Sequence, residues 1–255
     1  TSRVGATRIF LCNGLFAPDR SFGDLVSGAF TRGARVGNNS WGGSGPQYNT
    51  ITMEYDALVR DSNGDPSDGE QPFLPVFSTG NRGPDPLTIG WPASAKNVLS
   101  VGATEGYRPF LLDGCGTSGQ NADNADFILL ISSRGPTGDG RVKPDLVAPG
   151  SHVQSLASDA PLYSGVGVCD KWFPAGQRLL NWSTGTSQAA AHVSGAAAIA
   201  AEVYERRFGS RPSPAMLKAI LINHARDIGN ESGFTSNTNH RPSINQGWGR
   251  VDIGA

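Results

Sequence analysis

Apolar residues fall along this chain in two patterns that take turns. Short dense runs rich in Val, Leu, Phe and Ala predict strands at residues 36–40, 73–78, 98–103, 126–132 and 146–148, and residues 1–10 read as one more possible strand. Elsewhere the apolar residues recur every three or four positions. Leu25, Val26, Ala29 and Phe30 predict a helix over Phe22–Thr31, and Met53, Ala57 and Leu58 predict one over residues 51–60. A longer helix is predicted from Ser187 to about Phe208. It is apolar on every face from Ala189 to Ala201 apart from His192 and Ser194, which reads as a buried helix. It stops at Gly209 with Arg206 and Arg207 in its last turn, where the helix dipole favours cations. Ser213-Pro214, a cap followed by proline at the first position, opens a final helix running to about His224. Strands alternating with helices favour an α/β fold in which a parallel β-sheet is flanked by helices on both faces. A length of 255 residues suits one such domain.

Composition narrows the function classes. Gly (34) and Pro (17) make up a fifth of the chain, against a usual share of roughly 12%, and they sit between the apolar runs, so the excess marks tight turns rather than disorder. The net charge of −1 provides no global basic field, which disfavours nucleic acid as a partner. No apolar run approaches the roughly 18 residues needed to span a bilayer, so no membrane partner is expected. Residues 61–69 and 230–245 read as polar loops. The first places Asp61, Asn63, Asp65 and Asp68 on a flexible segment, partly like an EF-hand calcium loop, but it lacks the terminal glutamate and the flanking helices; a solvated turn is the better reading. Cys12, Cys115 and Cys169 form no Cys-x-x-Cys pair, so no metal site is expected from them. Cys115 and Cys169 could bridge in an oxidising compartment, leaving Cys12 in the apolar run that begins at Ile9, although spacing does not fix connectivity.

The candidate chemistry lies in Asn181-Trp-Ser-Thr-Gly-Thr-Ser-Gln-Ala-Ala-Ala-His-Val-Ser-Gly195, which sets Ser187 between a small-residue turn and the alanine-rich helix. Gly185 permits a tight turn, and a serine in the first helical turn lies beside unsatisfied N–H donors and the positive end of the helix dipole, both of which favour a developing oxyanion. Taken alone, a serine before a helix is more often a plain N-cap. Further segments add to it. Gly185-Thr-Ser187 with Ala189-Ala-Ala-His-Val-Ser-Gly195 resembles the nucleophile motif of the subtilisin-like serine proteases (subtilases). Phe77-Ser-Thr-Gly-Asn81 resembles their oxyanion segment, and Asn39-Ser40-Trp41-Gly42 the strand that pairs with the substrate backbone. Ser132-Ser-Arg-Gly-Pro136 with Lys143-Pro-Asp-Leu-Val-Ala-Pro-Gly150 is similar to a further signature, and Asn245-Gln-Gly-Trp-Gly-Arg-Val251 to the turn closing the catalytic domain in the branch with a following β-barrel domain.

The resemblance implies a serine endopeptidase with Ser187 as nucleophile and Asn81 in the oxyanion hole, acting on polypeptide substrates. It also implies that substrate binds against Ser40, Trp41 and Gly42, with Ser78, Thr79 and Gly80 as one pocket wall and Gly90-Trp91-Pro92 as the other, leaving room for a large apolar side chain. It implies secretion, a monomer, no cofactor for the chemistry, and a structural calcium whose position is unknown. Asn81 separates this reading from the sedolisins, which carry an aspartate at that position. Gln188 stands where methionine is usual and Ala191 where proline is usual. One expected part is missing, since the family's aspartate and histidine motifs, which precede the serine in chain order, do not occur here. His192, five positions beyond Ser187, is about 140° away round the helix and reads as a packing residue; His152, His224 and His240 lack the motif's context. Residues 1–255 are therefore expected to be an N-terminally truncated, partial catalytic domain, inactive on its own. The alternatives are a catalytically dead subtilase-like binding domain, or an acyl transferase or macrocyclase on the same scaffold.

Overall fold

The computed structural model describes residues 3–11, 15–16, 20–65, 67–108, 121–161, 163–165, 169, 172–229 and 241–254. Its frame is a four-stranded, fully parallel sheet of β1 (Val36–Asn39), β2 (Leu74–Ser78), β3 (Leu99–Thr104) and β4 (Leu146–Pro149), with strand order matching chain order. The α/β expectation holds because β2 to β4 are almost wholly buried, as central parallel strands covered on both faces must be.

Alternation along β2 sends side chains to two separate cores. Leu74 and Val76 join Leu99, Val101, Ala103 and Leu146 under α3 (Thr186–Phe208) and α4 (Pro214–Asn223), whose Ala189, Val193, Ala197, Leu217 and Leu221 close that side. Phe77 points the other way, with Phe73 just before the strand, into a core completed by Val26 of α1 (Phe22–Thr31) and by Tyr55 and Leu58 of α2 (Thr50–Leu58). The helix ends are built from their own residues. Ser21 and Asp24 make a reciprocal capping box on α1, and Asn49 and Thr52 make one on α2. Ser213 Oγ accepts from Met216 N ahead of Pro214, and Gly209 ends α3 in the left-handed region at φ 71°.

Several expectations are corrected. Residues 126–132 do not form a strand: both edges of β3 are already taken by β2 and β4, so this segment only touches the strand's end through a Thr104–Ile128 bridge and a Leu129 N–H donated to Ala103 O at 2.9 Å. Residues 3–9 hold no strand either, and the Phe10–Phe16 contact is a single bridge. An antiparallel pair absent from the sequence reading, β5 (Val153–Leu156) and β6 (Leu180–Ser183), leads the chain into α3. Nor is α3 buried all round. Ala191, His192, Gly195, Ile199 (49% exposed) and Val203 (60%) lie open along one face. The His192 ring is exposed rather than packed and meets Pro149 O through Nδ1 at 2.9 Å. Cys169 is disulfide-bonded; Cys12, Cys115 and His240 lie outside the described residues.

Candidate active site

Three chain segments meet at the C-terminal edge of the parallel sheet, where open α/β sheets place their ligand crevice. The end of β1 supplies Ser40–Gly43, the end of β2 supplies Ser78–Asn81, and the start of α3 supplies Thr186 and Ser187; all line one cleft of about 250 Å³. Ser187, Asn81, both expected binding segments, and Gly90 and Trp91 of the second wall therefore line one cleft, while Pro92 is not part of its lining.

The join is made by a short chain of hydrogen bonds centred on Thr186, the residue before the candidate nucleophile. Thr186 donates to Asn81 Oδ1 from its backbone N–H (2.9 Å) and from Oγ1 (3.0 Å), and Oγ1 in turn accepts from Gly80 N (3.2 Å). With Oδ1 engaged twice, the amide orientation follows from the network and Nδ2 is the end left to donate. Among the described residues, neither Asn81 Nδ2 nor the Ser187 N–H has an acceptor, so two residues of the cleft lining each keep an unused N–H donor. Ser40 Oγ donates to Ser187 O at 3.0 Å and fixes β1 to the same turn.

Glycines make this closeness possible. A Cβ added at Gly185 would lie 2.9 Å from Asn81 Nδ2, and one at Gly90 would lie 2.1 Å from Gly43 O. Gly80 holds φ 105°, turning the chain out of β2 so that Asn81 reaches α3. Trp91 lines the cleft with its indole over Gly43, whose N–H donates to Trp91 O at 2.8 Å. The Trp41 ring does something else: it stacks on Phe22 (5.3 Å between centroids) and meets Phe77 edge-on, so it packs in the α1/α2 core while its segment borders the cleft.

No general base is in place among the described residues, where nothing hydrogen-bonds to Ser187 Oγ. His152 is buried, its backbone N–H donating to Thr184 Oγ1 (3.0 Å), and His224 ends α4 with Nδ1 against Ile220 O (2.9 Å). Nor do the described residues bring three His, Cys, Asp or Glu together around a metal position. In the polar loop, Asn63 Nδ2 donates to Asp68 Oδ2, Asp65 N to Asn63 Oδ1, and Ser67 N to Asp65 Oδ1. No described helix is long and apolar enough to cross a membrane.

Sequence reasoning missed Thr186 and Arg82. Thr186 stood inside the nucleophile motif, but its bonding role needs Gly80 and Asn81 brought alongside. Arg82 is the one charged residue of the cleft lining and follows Asn81 directly, a position that could have drawn notice.

Comparison with known proteins gives consistent matches. The family model described as the subtilase family matches residues 3–249. The serine protease AprX of Bacillus subtilis (strain 168) is 40% identical over 81 residues, covering 32% of this chain and 16% of AprX. Pyrolysin of Pyrococcus furiosus is 29% identical over 195 residues, covering 70% of this chain and 12% of pyrolysin. Among solved structures, sphericase superposes with a TM-score of 0.59 at 23% identity over 96% of this chain and 66% of its own. Fervidolysin of Fervidobacterium pennivorans, described as a keratinolytic enzyme related to subtilisin, gives a TM-score of 0.57 at 24% identity over 91% of this chain and 27% of its own. At these identities the two structures speak for the fold. The chain spans less than a fifth of AprX and of pyrolysin.

Proposed function

Because this chain belongs to the subtilase family, we propose that it forms the nucleophile and oxyanion portion of a serine endopeptidase. Ser187 Oγ attacks the carbonyl carbon of a peptide bond and gives up its proton to a histidine supplied from outside the described residues. The oxyanion of the tetrahedral intermediate accepts from the Ser187 N–H and from Asn81 Nδ2. Collapse expels the amine, which takes the proton from the histidine, and leaves an acyl-serine; water then hydrolyses the ester through the same base. An extended substrate lies against the end of β1 at Ser40–Gly42, where backbone pairing holds it without regard to most side chains. The observation that carries this reading is Thr186 gripping Asn81 Oδ1 from two donors, which aims the amide's N–H end beside Ser187. Secretion belongs to the same proposal and is supported by the disulfide at Cys169, a bond characteristic of oxidising compartments.

A fluorophosphonate probe tests it. The 255-residue chain should label barely above background, whereas the same chain joined to its flanking coding sequence should label at Ser187 and lose the label in Ser187→Ala. Strong labelling of the short chain at Ser187 would place a base within it. An unlabelled longer form would remove the hydrolase reading.

A further inference from the structure

We propose that the cleft selects substrates with a carboxylate side chain, aspartate or glutamate, at the residue whose carbonyl is attacked. Arg82 is the ion-pairing partner and Thr79 a hydrogen-bond donor. This rests on the peptidase reading and adds its substrate class.

The argument starts from charge. Arg82 lines the cleft, and its backbone N–H donates to Ser133 Oγ at 3.1 Å, which pins the residue in place. Its guanidinium has no ion pair or hydrogen bond among the described residues. No residue of the lining is acidic. A cation that no described residue neutralises therefore borders a cleft whose other lining residues are uncharged.

The second observation is independent of charge. Thr79 is 0% exposed and lines the cleft, yet its Oγ1 has no hydrogen-bond partner. A buried hydroxyl left unpaired is costly, and such groups in native folds call for an explanation. Thr79 cannot move away to find a partner, because its N–H is donated to Val101 O and its carbonyl accepts from Gly90 N, both at 3.0 Å. The neighbouring Thr88 hydroxyl contrasts with it, donating to Asp85 O and accepting from Arg134 N, both at 2.8 Å. A carboxylate entering between Arg82 and Thr79 supplies acceptors for both, and guanidinium matches its planar geometry. Against the large apolar side chain expected from the sequence, the wall offers one indole, Trp91, since the Trp41 ring is committed to the aromatic core.

The test uses N-terminally fluorescein-labelled blocked tetrapeptides that differ only in the last residue (Glu, Gln, Phe or Lys), titrated with the 255-residue chain and read by anisotropy at low salt. The Glu peptide should bind about tenfold tighter than its Gln isostere. Arg82→Ala should abolish that ratio and Arg82→Glu should invert the preference towards Lys; Arg82 is exposed, so neither change disturbs the core. Thr79→Val, which keeps shape and burial, should reduce the ratio without abolishing it. Equal binding of Glu and Gln, or Phe binding tightest both in the parent chain and in Arg82→Ala, overturns the proposal and leaves the peptidase reading standing. Failure of all four peptides to bind overturns the peptide cleft itself.

Discussion

Replacing Asp145 by Asn should destabilise this protein far more than replacing its partner Lys143 by Met. Asp145 is buried, with its side chain 9% exposed. Its Oδ2 accepts from Lys143 Nζ at 2.6 Å, Ser100 N at 2.8 Å and Ser100 Oγ at 3.1 Å, and its Oδ1 pairs with Lys218 Nζ at 2.9 Å. Two ammonium groups share one anion, so the site carries a surplus positive charge. Burial opposes the ionisation of Asp145, but Lys143 and Lys218 outweigh it and hold the pKa down at about 2. For Lys143 burial is the larger influence, and it pushes the pKa down to about 7 despite the attraction of Asp145. The two shifts describe one arrangement, in which the more buried of two competing cations is the one that gives up its proton.

Asp145→Asn leaves both cations without a counter-charge, which costs about 3–5 kcal/mol. Lys143→Met leaves nothing unpaired: Asp145 keeps Lys218 and both Ser100 donors, and Val98 O, which Lys143 also met, keeps Lys218 Nζ at 2.9 Å. Its cost should stay within about 1 kcal/mol of zero in either direction. Urea midpoints at pH 6, where both lysines carry their protons and Asp145 is ionised, measure both with unchanged slopes. Equal losses for the two variants would refute the reasoning. The pH dependence gives a second check. Between about 7 and the ordinary lysine value of 10.5, the unfolded chain binds a proton that folded Lys143 has released, so stability rises with pH across that window, and Lys143→Met should flatten this contribution. Asp145 acts at the other end: its contribution is present above the ordinary 3.8 and disappears as pH falls towards 2.

Two further predictions concern the cleft. Gly43→Ala places a Cβ 2.0 Å from the Trp91 ring, so the indole must shift, with a changed tryptophan emission, weaker peptide binding and a loss of about 1–3 kcal/mol in stability; adding Trp91→Ala should restore most of the stability, and no rescue would mean the clash is taken up elsewhere. In a form of the protein that turns over peptide, Asn81→Ala should lower kcat by roughly 10²–10³, a range that comes from the same kind of removal in subtilisin itself and is carried over by resemblance, while KM stays near its parent value. A change in KM alone would make Asn81 a binding residue and not an oxyanion donor.

What could be read from the sequence follows the range over which each feature is determined. The helix Phe22–Thr31 was placed to the residue, and the strands at 36–40, 73–78, 98–103 and 146–148 within one or two, because buried parallel strands are continuous apolar runs and the helices carry their own caps and stops. The pair β5–β6 escaped notice because three residues of β5 are exposed and its partner enters about 25 positions later, leaving no local pattern to see. Residues 126–132 were misread for the opposite reason. Ile128 and Leu129 are apolar and buried as a strand's would be, but whether a strand forms depends on a vacant sheet edge, which is a property of β2 and β4.

The same distinction runs through the site. Ser187 and Asn81 could be named because each stands in a recognisable local motif, but the bond that makes them one site belongs to Thr186, and its two partners lie more than a hundred positions away in the chain. The segment Lys143–Gly150 was legible as a signature without a reason. Its physical content appears once Lys218 arrives from α4 to share Asp145, because a lysine and an aspartate two residues apart read as an ordinary exposed pair until a second cation and a closed core surround them. Residues that act in threes across the fold are therefore the ones whose roles a linear reading leaves blank. Arg82 and Thr79 are the next case, since what they would complete is a group carried by another molecule.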